Sequence, residues 1–146
     1  MASSCEEPWG GTALVSGRAP AVCLGRETCG ELEVAERREW LAANGRGSYA
    51  SGTVANMLTR GYHGLLVAPA KPPLERSVLL SKFEESVIIG EARFEISSNE
   101  YPDAIEPKGY RYLTNFELSP FPTWTFDLDG VKVRKSIFMP HRPNAV

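Results

Sequence analysis

Histidine and cysteine are scarce in this sequence, and their scarcity removes whole classes of chemistry. The two histidines, His63 and His141, have no carboxylate at ligand spacing beside them, so no histidine-based metal centre is expected. Three cysteines, Cys5, Cys23 and Cys29, cannot all pair and fit no zinc spacing; the expectation is reduced thiols in a cytoplasmic protein. No run of about 18 apolar residues occurs, so no helix is long and apolar enough to cross a membrane. The opening "MASSCEEPWG" has neither a basic region nor a continuous apolar stretch, and no signal peptide is expected. A formal net charge of −2 leaves no basic surplus for a nucleic-acid partner.

What is present is short, broken apolar runs. At 146 residues the chain is one domain at most, or a piece of a larger one. Residues 1–22 are rich in Gly, Ala, Ser and Pro without periodicity and read as a disordered tail, with the ordered domain over 23–146. "CGELEVAERREW" sets Glu31, Glu33 and Glu36 ahead of Arg37 and Arg38, which suits a helical turn or two. From Trp40 onward, β-branched and aromatic runs alternate with Gly, Pro, Asn and Asp. "YHGLLVAPA" reads as a buried strand stopped by Pro69 and the "KPP" turn. "RSVLLSKFEESVIIG" gives one or two strands, and "ARFEIS" a half-buried one with Ala92, Phe94 and Ile96 inward. "NEYPDAIEPKGY" reads as a long polar loop, and "RYLTNFELS" as another strand.

The clearest hairpin is "TWTFDLDGVKVRKSIFM". Asp129-Gly130 offers the residues that a two-residue type I′ turn needs at positive φ. That turn sets Leu128 opposite Val131, Phe126 opposite Val133 and Trp124 opposite Lys135, giving two apolar pairs and a cation–π pair. The fold class expected is all-β, an antiparallel β-sandwich.

One stretch asks for a chemical explanation: "NGRGSYASGTVANMLTRGYHGLL", residues 44–66. Gly45-Arg46-Gly47-Ser48-Tyr49-Ala50 satisfies G-x-G-x-x-A, but the dinucleotide motif needs a helix next and a carboxylate about 20 residues on. Here "LLVAPA" stands in that place. Gly47 to Gly52-Thr53 keeps P-loop glycine spacing without the lysine that reaches phosphates. Ser48 and Ser51 lie in no G-x-S-x-G elbow. Glu84 and Glu85 are adjacent, so on a strand they point to opposite faces and make poor partners for one glycosidic bond. What remains is Asn44, Tyr49, Ser51, Thr53, Thr59, Arg60, Tyr62 and His63. Such amide, hydroxyl, aromatic and guanidinium groups bind sugars, and equally they satisfy one another and a folded backbone. Composition leaves both readings open.

Longer motifs point further. "REWLAANGRGSYASGT", "TRGYHGLLVA" and "PPLERSVLLSKFEE" follow one another in order, with "LGRETCGELEVAERREW" before them and "NEYPDAIEPKGYRYLTNFELSPFPTWTF" and "VRKSIFM" after. Over about residues 24–141 the chain resembles the N-terminal domain of prokaryotic-type glycogen debranching enzymes, the amylo-α-1,6-glucosidase group. That resemblance implies a β-sandwich coupled to a C-terminal (α/α)₆ barrel, whose carboxylates hydrolyse the α-1,6 branch points of glycogen and limit dextrin. It implies an α-glucan as partner through the full-length enzyme, with no cofactor, metal, nucleic acid or membrane. No residue of this chain is expected to be catalytic, and the chain is expected to be inactive alone.

The resemblance has departures. The family's loop carries a second glycine after its G-x-G, where Ser48 stands here. The family shows Asn-Thr-Arg-Arg before its tyrosine and histidine, where this chain has Leu58, Thr59, Arg60 and Gly61, one guanidinium fewer. After Met139, "HRPNAV" keeps only His141 and Asn144 of the family's pattern. Family members continue through more strands and then helices, so the expectation is a truncated piece with an unpaired edge and an uncovered apolar face. Asn44, Tyr49, Thr59, Arg60, Tyr62 and His63 are expected as contacts, either to substrate or to the barrel, and not as acid or base.

Overall fold

Strand formation starts at Val22, and the computed structural model describes residues 22–71 and 74–141. In chain order the elements are β1 (Val22–Leu24), the short helices α1 (Arg26–Cys29) and α2 (Leu32–Ala35), then β2 (Glu39–Ala43), β3 (Tyr49–Thr53), β4 (Gly64–Lys71) and β5 (Leu74–Leu80). Two small hairpins follow, β6 (Ser86–Ile89) with β7 (Ala92–Glu95) and β8 (Ser98–Tyr101) with β9 (Ala104–Lys108). A 3-10 turn at Gly109–Tyr112 leads into β10 (Leu113–Leu118), β11 (Pro122–Leu128) and β12 (Val131–Ser136). The expected tail and the "KPP" turn fall on residues outside those described, apart from Val22, which joins β1, and Lys71, which ends β4.

Among the described residues two four-stranded antiparallel sheets form, ordered β1-β10-β11-β12 and β2-β3-β4-β5. They face each other across an aromatic core, so the domain is an all-β sandwich, as expected. Trp124 of β11 is fully buried, with its ring edge-on to Trp40 of β2 at 5.2 Å and to Phe116 of β10 at 5.1 Å. Each such pair contributes about 0.5–1.5 kcal/mol beyond the area it buries. Neither indole is left unpaired: Trp124 Nε1 donates to the Val54 carbonyl at 2.9 Å and Trp40 Nε1 to that of Thr53 at 3.2 Å.

The β11–β12 register is the one that the Asp129-Gly130 turn requires. Asp129 and Gly130 take φ of 52° and 87°, and Leu128, Phe126 and Trp124 lie opposite Val131, Val133 and Lys135. Lys135 Nζ stands 5.6 Å from the Trp124 ring and also pairs with the Glu85 carboxylate. The helical turn expected in "CGELEVAERREW" is present as α2, and α1 ends at the first residue of that segment, Cys29.

Several expectations need correcting. Residues 98–108 are a hairpin and not a loop, with Tyr101 opposite Ala104 across the tight turn at Pro102-Asp103. Among the described strands β9 pairs only with β8, and Pro107 falls at the register irregularity between Ser98↔Lys108 and Glu100↔Ile105, where a missing amide is tolerated. β4 runs through Pro69 to Lys71; beyond Val67 it has β5 beside it but no longer β3, and the missing amide is tolerated there. In "ARFEIS", Phe94 and Ile96 are buried as expected, whereas Ala92 is exposed and Ser97 buried. Ser97 turns inward because its Oγ accepts the Glu85 amide at 2.7 Å. Cys29 is a free, buried thiol, but Cys23 is disulfide-bonded and not reduced; sequence spacing does not encode which thiols meet in space.

Candidate functional site

The glycine-rich stretch is the turn joining β2 to β3. Gly45 and Gly47 take φ of +75° and +93°, values that a side chain disfavours. Asn44 Oδ1 accepts the Arg46 amide at 2.7 Å and the Ser48 amide at 3.2 Å, and Asn44 N–H donates to the Ser48 carbonyl at 3.1 Å. Amides that would cradle a phosphate are thus turned inward onto Asn44. A Cβ on Gly45 would stand 2.7 Å from His141 Cε1, so the His141 ring lies against this turn.

Alternation along β2 and β3 then divides the side chains. Trp40 enters the core, while Glu39 and Leu41 stay on the outer face, Leu41 opposite Ser51 and Ala43 opposite Tyr49. The turn at residues 59–63 folds back over that face. Thr59 N–H donates to His63 Nδ1 at 3.1 Å, His63 N–H to the Arg60 carbonyl at 3.0 Å, and Ser51 Oγ to the Tyr62 carbonyl at 3.3 Å. Arg60 Nε pairs with Glu39 Oε1, and His63 Nε2 lies 3.8 Å from the same oxygen. From β5, Arg76 places its guanidinium 5.7 Å from the centre of the Tyr49 ring.

These groups enclose an open cleft of about 570 Å³ on the outer face of the β2–β5 sheet, within the usual range for small-ligand sites. Of the six expected contact residues, Tyr49, Arg60, Tyr62 and His63 line it. Asn44 does not: it is fully buried and holds the glycine turn. Thr59 acts through its backbone amide. Glu39 and Arg76, which sequence reasoning missed, complete the wall. The signal for Glu39 lay in "EWLAA", where a charge, a tryptophan and a leucine alternate across a strand.

His63 is 7 % exposed. Burial holds its imidazole below the ordinary histidine pKa, opposed by the Glu39 carboxylate and reinforced by Arg60. Because Nδ1 accepts the Thr59 amide, the ring proton of the neutral form sits on Nε2, toward Glu39. Tyr62 is 58 % exposed, with its ring open to the cleft.

Hydrolysis of a glycosidic bond uses two carboxyl groups flanking it. Among the described residues lining the cleft Glu39 is the one carboxylate, and Arg60 already engages it. A second, smaller hollow of about 250 Å³ holds Glu84, Glu85 and Glu95, but Glu84 accepts from Asn99, Glu85 pairs with Lys135 and Glu95 with Arg93. No cluster of three or more His, Cys, Asp or Glu suited to a metal occurs among the described residues. The two-carboxylate arrangement of glycosidic hydrolysis is thus not formed by the described residues lining the outer cleft.

A family model described as "Glycogen debranching enzyme N terminal" matches residues 38–146. No curated protein and no solved structure matches the chain.

Proposed function

The chain belongs to the glycogen debranching enzyme N-terminal family, and from that premise we propose that it is the β-domain of an enzyme hydrolysing α-1,6 branch points of glycogen and limit dextrin. A C-terminal (α/α)₆ domain supplies the catalytic carboxylates, and this domain contributes glucan contacts through its outer cleft. The observation that carries the reading is the convergence of Tyr49 and Tyr62 with Arg60, Arg76 and Glu39 around one open cleft. Aromatic faces suit the apolar face of a pyranose, and planar charged groups suit paired hydroxyls. Calorimetric titration of the chain with maltohexaose tests it: saturable heat that Tyr62→Ala abolishes is expected, and silence at millimolar ligand overturns glucan contact. The chain alone is expected to release no glucose from limit dextrin.

A second reading has its own observation. Leu41, 58 % exposed, and Val78, 37 % exposed, leave apolar surface on the β2 and β5 strands, which suits docking of the catalytic domain. Tyr62→Ala in a full-length relative separates the two. Unchanged kinetics with a lower melting temperature favours docking, and a raised KM favours glucan contact.

A further inference from the structure

The turn at 59–63 brings Arg60 and Tyr62 to the cleft, and one side-chain acceptor closes it. His63 Nδ1 takes the Thr59 amide at 3.1 Å, alongside the backbone bond from His63 to Arg60 at 3.0 Å. An imidazole nitrogen accepts only while it carries no proton. Protonation puts hydrogen on both ring nitrogens, and the Thr59 N–H then faces another N–H. With the ring almost fully buried, water cannot take either place without the turn moving.

Two charged groups act on the ring. Glu39 of β2 stands 3.8 Å from Nε2 and Arg60 belongs to the same turn, while Arg76 of β5 shares the cleft but lies over Tyr49. Glu39 attracts an imidazolium, but the oxygen that faces His63 is the one Arg60 Nε already holds. An imidazolium therefore competes with Arg60 for Glu39 while losing its bond to Thr59. Both changes act on the segment that holds Arg60 and Tyr62 in place.

We infer that the 59–63 turn is a proton-operated cover on the cleft: a proton on His63 Nδ1 expels the Thr59 amide, opens the turn and withdraws Arg60 and Tyr62 from Tyr49 and Arg76. The opening itself stands on the geometry of the turn; its effect on ligand rests on the glucan-contact reading.

The test is a nuclear magnetic resonance titration of the whole chain from about pH 7.5 to about pH 4, carried below the ordinary histidine range because burial lowers the His63 pKa. The Thr59 amide and the His63 ring are followed together. Thr59 exchange, corrected for the intrinsic pH dependence, is expected to rise about tenfold or more as the ring titrates, the equivalent of one pKa unit. In His63→Gln, whose amide oxygen accepts from Thr59 without titrating, that step is expected to vanish. An unmoved Thr59 while His63 titrates, or the same step in His63→Gln, overturns the inference. Maltohexaose affinity is measured in parallel. Binding at both pH values with no loss on acidification overturns the cover, whereas no binding at any pH with Thr59 responding sinks the glucan reading and leaves the switch standing.

Discussion

Replacing Gly109 by alanine should be the most damaging single-methyl change in this domain. Gly109 opens the 3-10 turn, is buried, and donates its amide to the Ser97 carbonyl at 2.9 Å. A Cβ there would stand 2.3 Å from the Ile96 carbonyl carbon, 2.4 Å from its oxygen and 2.5 Å from the Ser97 oxygen. All three are backbone atoms, and that backbone is pinned. Ile96 N–H bonds to the Glu85 carbonyl at 3.0 Å, Ser97 Oγ accepts the Glu85 amide, and the Ile96 side chain is in the core. Overpacking of this kind costs about 1–3 kcal/mol. Loss of the buried bond to Ser97 adds about 1 kcal/mol. The sum is about 3 kcal/mol, a fall in Tm of roughly 10 °C for a domain of this size. Urea unfolding followed by circular dichroism reads it, provided that the transition is two-state. Two controls separate the causes. Gly61→Ala meets nothing within 4 Å and should change stability by less than about 0.5 kcal/mol. Gly130→Ala also meets nothing but has φ of +87°, and should cost about 1 kcal/mol from backbone strain alone. If Gly109→Ala falls level with Gly61→Ala, the steric reasoning is refuted.

Trp124→Phe should cost about 2 kcal/mol, because the Val54 carbonyl loses its donor inside the core; a loss under about 0.5 kcal/mol in urea unfolding would contradict it. Burial, reinforced by the Glu27 carboxylate, pushes the Cys29 thiol up to about 12, so iodoacetamide should fail to label it in the native protein at neutral pH and label it promptly in urea. The sign of its pH linkage follows. The folded state holds that proton between the thiol's ordinary value of 9.0 and about 12 while the unfolded chain releases it, so stability should fall as pH rises through that window, by at most about 1.4 kcal/mol per unit. Gly61→Arg, which returns the guanidinium that the family resemblance leads one to expect, has open space for its side chain and should tighten maltohexaose binding at unchanged melting temperature.

The sequence was most readable where the determining interactions are close together in the chain. The 122–136 hairpin follows from one two-residue turn and a period of two, and its register came out residue for residue. The 98–108 hairpin escaped because its strands are largely polar, with Pro107 in one of them and Pro102 in the turn, and Tyr101 opposite Ala104 across Pro102-Asp103 carries no apolar alternation to announce it. In the cleft, Tyr49, Arg60, Tyr62 and His63 stood out by composition, but composition could not rank them. Asn44 looks like a ligand contact in the sequence and proves to be the acceptor that closes the turn beneath. Glu39 was signalled only by its alternation with the buried Trp40 in "EWLAA", whereas Arg76 reaches the cleft through pairing between strands and nothing local to it signals that.

The contact between the β2–β3 turn and the segment after β12 has a consequence for how this sequence is free to vary. The His141 ring occupies the space into which any side chain at position 45 would grow. Two sites far apart in the chain thus share one parcel of volume, and each limits what the other tolerates. Relatives that carry a bulkier residue at 45 should have given up the ring at 141, so that the two columns of an alignment drift together. A record of paired substitutions would then reveal the closeness of the two ends of the sandwich without any coordinates at all.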